Sequence, residues 1–297
     1  MKKTVLIAVI IIIVACFSWY IIEPAGSGQS IGHQNDMMQG LQTSMETTPG
    51  ATDAAALSDL FAENVQAASE PSGWSLVWSD DFDAPMLNIE YWTEIDRRDN
   101  YNEELQYYSP ANSSIKNGFL TLTAKDEEMG GRHYTSGMVE TQNKFELLYG
   151  RVEARISLPV CQGTFPAFWM ISGSGSYELD ILEMVGNEPG TIYGVCHYLE
   201  QIGCKAYGFT SVADPEAFHV YAIEWDKDEV RWYVDDVEFF STRSNVPDDP
   251  MYIILTLAVG GEWPGSPDST SHFPVSMQVD YVRIYSRETE SDQYDIA

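Results

Sequence analysis

Between Trp74 and about Tyr285 the chain is written in short runs of period two, and long amphipathic helical patterns are nearly absent. Phe119 to Ala124 alternates large apolar residues with threonine, and Val152 to Leu158 alternates Val, Ala, Ile and Leu with Glu, Arg and Ser. His219 to Trp225, Val230 to Val234, Val237 to Phe240 and Met277 to Tyr285 are rich in the β-branched and aromatic residues that suit a pleated, half-buried surface. Asp235-Asp236 separates two of these runs and predicts a tight hairpin. Side chains of a strand alternate between two faces, so each run must bury one face against a second layer. Many short strands with frequent turns imply an all-β sandwich or barrel. Hydrophobic residues are 44% of the chain, enough to fill such a core.

The flanks read differently. Met1-Lys2-Lys3-Thr4 precedes an uncharged, largely apolar run from Val5 to Ile22, the pattern of an export signal. Residues 1–23 therefore read as a retained signal-anchor, as a lipoprotein signal with Cys16 lipidated in Ile13-Val14-Ala15-Cys16, or as a cleaved signal. All three place the domain outside the cytoplasm, secreted or at the cell surface. Residues 24–73 have a linker composition, with a short helical spacing at Leu57, Leu60, Phe61 and Val65. Residues 74–286 form the expected domain, and 287–297 an acidic tail. The formal charge is −29 with only 16 Lys and Arg, which argues against nucleic acid and anionic lipid as partners. A neutral polymer suits such a surface, and a monomer is expected. Cys196 and Cys204 would suit a loop-closing disulfide in an oxidising compartment, and Cys161 reads as a small buried residue.

One segment places three acids in an apolar run: Glu178-Leu179-Asp180-Ile181-Leu182-Glu183. In a strand Glu178 and Asp180 share a face, whereas a regular strand would aim Glu183 at the other. One extra residue in a β-bulge restores Glu183 to the face of the other two. Three carboxylates so placed cannot all ionise cheaply, so at least one pKa should rise. One ionised and one protonated carboxyl is what glycoside hydrolysis needs. A solvated acidic edge or a calcium site is the bland alternative, though Leu179, Ile181 and Leu182 are unusual flanks for it. The Gly-Ser run at 172–176 lacks the Lys-Ser/Thr of a phosphate loop, and no zinc-protease or serine-hydrolase motif occurs.

These acids resemble the catalytic signature of glycoside hydrolase family 16 in its bulged, laminarinase-type form. Further blocks resemble the family in order: Trp78-Ser79-Asp80-Asp81-Phe82-Asp83, Glu104-Leu105-Gln106-Tyr107-Tyr108, Tyr149 to Arg155 and Pro166-Ala167-Phe168-Trp169-Met170. Ala258-Val259-Gly260-Gly261 with Trp263-Pro264-Gly265, and Val279-Asp280-Tyr281-Val282-Arg283, complete the set. The resemblance implies a jelly-roll β-sandwich of two curved antiparallel sheets with a concave substrate cleft. It implies a retaining endo-1,3-β-glucanase with Glu178 as nucleophile, Glu183 as acid and base, and Asp180 tuning the nucleophile. It places Trp169, Trp263, His197 and Asn102 in the cleft, with His197 beside Glu183. It implies no cofactor for catalysis, and a structural Ca2+ at Asp81, the Gly118 carbonyl and Asp280.

The chain departs from the family at Glu103, Phe165, the 173–176 run, Met138, Thr256 and Glu262. These departures fall on cleft contacts and leave the acids intact, so they bear on the substrate more than on the reaction. Galactan hydrolysis, transglycosylation and a non-catalytic glucan-binding module are the competing functions. The binding module is disfavoured because both glutamates are kept.

Overall fold

The computed structural model describes residues 71–198 and 205–287. The N-terminal run with Cys16, nearly all of the linker with its Leu57 to Val65 pattern, Cys204 and the acidic tail lie outside the described residues. The expected Cys196–Cys204 pairing falls there too. No helix among the described residues is long and apolar enough to cross a membrane.

The strands in chain order are β1 (Ser75–Asp80), β2 (Thr93–Glu94), β3 (Gln106–Tyr108), β4 (Ser113–Lys116), β5 (Phe119–Met129) and β6 (Arg132–Ser136). There follow β7 (Met138–Glu140), β8 (Gly150–Ser157), β9 (Thr164–Ser172), β10 (Tyr177–Glu183), β11 (Thr191–Tyr198) and β12 (Lys205–Ser211). The last are β13 (His219–Trp225), β14 (Val230–Val234), β15 (Val237–Thr242), β16 (Met251–Val259) and β17 (Val275–Ser286). The helix among the described residues is a single 3-10 turn at Pro110–Asn112. Asp235 and Asp236, at φ 49° and 61°, make the β14–β15 hairpin with both central residues in the left-handed region. That turn matches the right-handed twist of the strands it joins.

Two sheets pack face to face as a jelly-roll sandwich. One runs β15-β14-β13-β8-β17-β5-β6-β3, with β1 on β17 and β4 on β5. The other runs β12-β11-β10-β9-β16-β7-β2. Pairing is antiparallel except for β3 with β6, which is parallel. The core lies between the sheets. Val152, Ala154 and Ile156 of β8 and Tyr221, Ile223 and Trp225 of β13 meet Phe168 and Met170 of β9 and Ile253, Leu255 and Leu257 of β16. Each set is alternate residues of its strand, as period-two patterning requires. Cys161 is buried, as expected of a small apolar residue.

Strand β10 lies inside the second sheet, hydrogen-bonded to β9 and β11. Its inward side chains anchor in the core, and its outward ones line the concave cleft. Over β16 and β7 that outer face carries a second apolar cluster of Tyr108, Met138, Ile171, Tyr252 and Ile254. Residues 95–108 thus wall one part of the cleft.

Candidate active site

The bulge is present in β10. Against β9, Asp180 pairs with Trp169 but Leu182 pairs with Phe168, so two residues advance against one. Against β11, Asp180 pairs with Val195 and Glu183 with Tyr193. Ile181 and Leu182 are both fully buried in the core, and Glu183 returns to the cleft face with Glu178 and Asp180. The apolar residues between the acids set this geometry, because burying both is possible only if the strand takes an extra residue. A bulge leaves backbone groups outside the regular ladder. Here the Asp180 carbonyl accepts a 2.8 Å hydrogen bond from Trp232 Nε1 on the opposite sheet.

Ladder register maps the cleft face in rows. Glu178 stands between Ile171 and His197, and His197 pairs with Lys205. Asp180 stands between Trp169 and Val195, and Val195 pairs with Tyr207. Glu183 stands between Ala167 and Tyr193, and Tyr193 pairs with Phe209.

Glu178 and Asp180 are 5% and 4% exposed, and Glu183 is half-buried. Burial raises the Glu178 carboxyl to about 7. Burial also raises Glu183, to about 8, and the charge of Glu178 adds to it against the pull of Lys205. Asp180 is raised well above its ordinary value, first by burial, then by Glu183 and Glu178. The three titrate as a coupled set. Packed on one buried face, they cannot all be ionised at neutral pH.

His197 corrects one expectation. It lies across from Glu178, with Nε2 at 3.7 Å from Glu178 Oε1 and 3.4 Å from Asp180 Oδ2. The residue paired with Glu183 is Tyr193. Spacing alone could not settle this, because the bulge shifts the β10–β11 register by one residue. Burial, helped by Lys205, pushes the imidazole down to about 4, so it is neutral in the working range. Asp180 Oδ2 is buried and makes no hydrogen bond among the described residues. Glu178, Asp180 and His197 offer ligand atoms within 4.8 Å of one another, but no metal is needed to explain the cluster.

The remaining cleft residues divide. Trp169 is half-buried, and its Nε1 donates to Thr256 Oγ1 at 3.2 Å. Trp263 is half-buried and packs edge-on against Phe165 and Tyr193, at 5.5 and 5.0 Å between ring centroids. The departures Thr256 and Phe165 thus hold the two tryptophans. At Met138 the Arg97 guanidinium approaches the thioether, Nη2 to Sδ 3.6 Å. Asn102 is a left-handed turn residue at φ 54° whose carbonyl accepts from Glu262 N at 3.0 Å, tying its loop to that of Trp263. Gln106 seals the same corner, with Oε1 accepting from Val259 N at 2.8 Å and Nε2 donating to Glu104 at 2.6 Å.

Asp81 follows β1 and Gly118 precedes β5, and Asp280 lies in β17, which pairs with both strands. Asp81 is paired with Arg283 at 2.8 Å and Asp280 with Arg155 at 2.8 Å. Sequence reading missed Lys205, Tyr193, Tyr207 and Phe209. The signal was present in Lys205-Ala206-Tyr207-Gly208-Phe209, a period-two run whose large members are aromatic.

Comparison with known proteins agrees with this geometry. The profile described as Glycosyl hydrolases family 16 matches residues 101–283. A second, Beta-glucan synthesis-associated protein SKN1/KRE6/Sbg1, matches residues 3–177, a stretch that stops short of Glu178. A Beta-glucanase of Rhodothermus marinus is 38% identical over 245 residues, covering 71% of this chain and 85% of that protein. The laminarinase catalytic domain of Thermotoga maritima MSB8 superposes with a TM-score of 0.68 at 35% identity, over 72% of this chain and 98% of that one. The endo-beta-1,3-glucanase of Pyrococcus furiosus gives a TM-score of 0.68 at 38% identity, over 72% and 94%.

Proposed function

The chain belongs to glycosyl hydrolases family 16, and from that premise we propose a retaining endo-glycanase that cleaves internal β-1,3 linkages of laminarin-like or mixed-linkage β-glucans. The observation that carries this reading is the bulge, which returns Glu183 to the face of Glu178 and Asp180. The relatives named above as glucanases and laminarinases support glucan as the polymer.

In the proposed mechanism Glu178 is the nucleophile, because it stands first in the signature Glu178 to Glu183 that the chain shares with its family. Glu183 keeps its proton near neutrality and delivers it to the glycosidic oxygen as the C–O bond breaks. Glu178 then holds the sugar as a covalent ester. Glu183, now ionised, takes a proton from water, and that water displaces Glu178. Two inversions give net retention. Asp180, raised by burial and by both glutamates, shares the face of the nucleophile and resists adding a third charge there. Neutral His197 borders both without adding a cation that would lower Glu178 further. Trp169 and Trp263 present flat apolar faces to the C–H faces of sugar rings.

Transfer to a second sugar would use the same residues, with an acceptor hydroxyl in place of water. The match to a synthesis-associated family bears on that variant, because it shares β-glucan as the polymer. A structural Ca2+ is a finer part of the proposal. It is supported by the placement of Asp81 and Gly118 at the ends of two strands that both pair with the strand of Asp280, and opposed by the arginines that already hold both carboxylates. Export with a membrane-tethered N-terminus is supported by Lys2-Lys3 and the apolar run to Ile22.

The test is a reducing-sugar assay of the full chain on laminarin, lichenan, agarose and carrageenan, with Glu178→Gln as control. Turnover of laminarin that vanishes in the variant is expected. Tight binding without turnover of any polymer would favour a glucan-binding module, and turnover of agarose alone a galactanase.

A further inference from the structure

Strand β12 is patterned inside out. Its core-facing residues are small: Ala206, Gly208 and Thr210. Its outward residues include Tyr207 and Phe209, which are 57% and 63% exposed. A half-buried strand ordinarily buries its aromatics, since leaving such a ring in water forgoes ~1.5–3 kcal/mol of burial. The inversion has a local cause on the inner side. Phe240 already fills the space beneath β12, and a Cβ on Gly208 would lie 2.5 Å from the Phe240 Cβ. Packing therefore accounts for the glycine but not for the two exposed rings.

The rings are aligned with the catalytic strand. Tyr207 falls in the row of Val195 and Asp180, and Phe209 in the row of Tyr193 and Glu183. Two strand spacings separate β12 from β10, about 10 Å, so a sugar lying there is not the one being cleaved. The surface between is continuous and aromatic. Trp263 packs on Tyr193 at 5.0 Å and Tyr193 on Phe209 at 5.9 Å between centroids. Polar atoms at the rim, the Tyr207 hydroxyl and the Lys205 ammonium 5.6 Å from the Tyr207 ring, suit the hydroxyl-rich edge of a sugar.

We propose that Tyr207 and Phe209 form a distal subsite ledge that binds further rings of the same glucan chain on the β12 side of the cleft. The inference rests on the glucanase reading above and adds to it where a long substrate is gripped. Stacking on this ledge favours long chains over short ones, because only a long chain reaches β12 while its scissile bond lies over Glu178 and Glu183.

The experiment compares kcat/KM on a long β-1,3-gluco-oligosaccharide and on the shortest one that the wild type cleaves. The full chain is assayed as wild type, Tyr207→Ala, Phe209→Ala, the double variant, and Tyr207→Phe. The long-to-short ratio is expected to fall roughly tenfold in the double variant, carried by KM, and to stay near that of the wild type in Tyr207→Phe. A ratio equal to that of the wild type overturns the ledge, as does an unchanged ratio accompanied by a shift from dimer to monomer in gel filtration, which would make the rings a contact between copies. A wild type that cleaves no β-1,3-gluco-oligosaccharide of any length sinks the glucanase reading itself, so the two failures are distinct.

Discussion

Trp232 Nε1 reaches across the core from β14 and donates a 2.8 Å hydrogen bond to the carbonyl oxygen of Asp180 on β10. This joins the catalytic strand to the opposite sheet at the point where the bulge breaks the ladder. Trp232→Phe removes the donor and strands a buried acceptor, at a cost of about 1–3 kcal/mol. The expected result is a melting temperature lower by several degrees. Laminarin turnover should fall more than the folded fraction does, because the bulge also places Glu183. Calorimetry and kcat on one preparation check both.

Gly194 of β11 lies under the same indole. An added Cβ would sit 2.4 Å from Trp232 Cδ1, in a fully buried contact that cannot retreat cheaply. Gly194→Ala is expected to destabilise the fold by about 1–3 kcal/mol through overpacking. Urea denaturation of the variant measures this, and an unchanged midpoint would show that the contact gives way.

The pH dependence of rate follows from the glutamates. Glu178 must be ionised, so kcat/KM falls as pH drops below about 7. Glu183 must be protonated, so it falls as pH rises above about 8. The limbs belong to the coupled pair and not to either glutamate alone. With an aryl glycoside whose leaving group needs no proton, Glu183→Gln should lose the alkaline limb and keep the acid one. A persistent alkaline limb would assign it to another group.

Stability should run with pH as well. Carboxyls raised in the folded state bind protons that the unfolded chain has already released. Their contribution is full below the unfolded values and is lost as pH rises through the folded ones. His197, lowered to about 4, acts oppositely: its contribution is present above its ordinary value and is lost as pH falls toward 4. Above about pH 6.5 the histidine term is constant, and the carboxyl term alone remains. The melting temperature is expected to decline from about pH 6.5 to 8, and Asp180→Asn to flatten that decline. A melting temperature that climbs over this range would contradict the burial of ionised acids.

Loss of the nucleophile should be rescued by a small anion. Glu178→Gly is expected to lose at least about 10³-fold in kcat. Added azide would then occupy the vacated face and yield an α-configured glycosyl azide from an activated β-glucoside. A β-configured product would place the nucleophile elsewhere.

Much of this was legible in the order of residues. Period-two runs from Phe119 to Ala124 and from Val230 to Val234 announced strands because alternation is a local property of an extended backbone. The spacing of Glu178, Asp180 and Glu183 required a bulge for the same reason, since Ile181 and Leu182 could both be buried only with an extra residue. The motif blocks carried the family and hence the topology.

What one strand faces on the next is set by register between segments far apart in sequence, and only the packed sheets decide it. Tertiary structure moved His197 from Glu183 to Glu178 and Asp180, and it turned the rings of Tyr207 and Phe209 outward over filled core. Arg155 reached Asp280 only when β8 met β17, and Arg283 reached Asp81 only when β17 met β1. The upward shift of the three carboxyls likewise depends on burial and on distances between charges, which no spacing along the chain specifies. The sequence by itself determined three acids, one strand and the need for a bulge. The fold decided that these carboxyls hold their protons unusually far up the pH scale and which surfaces extend the cleft, because desolvation and cross-strand contact exist only once the two sheets have closed.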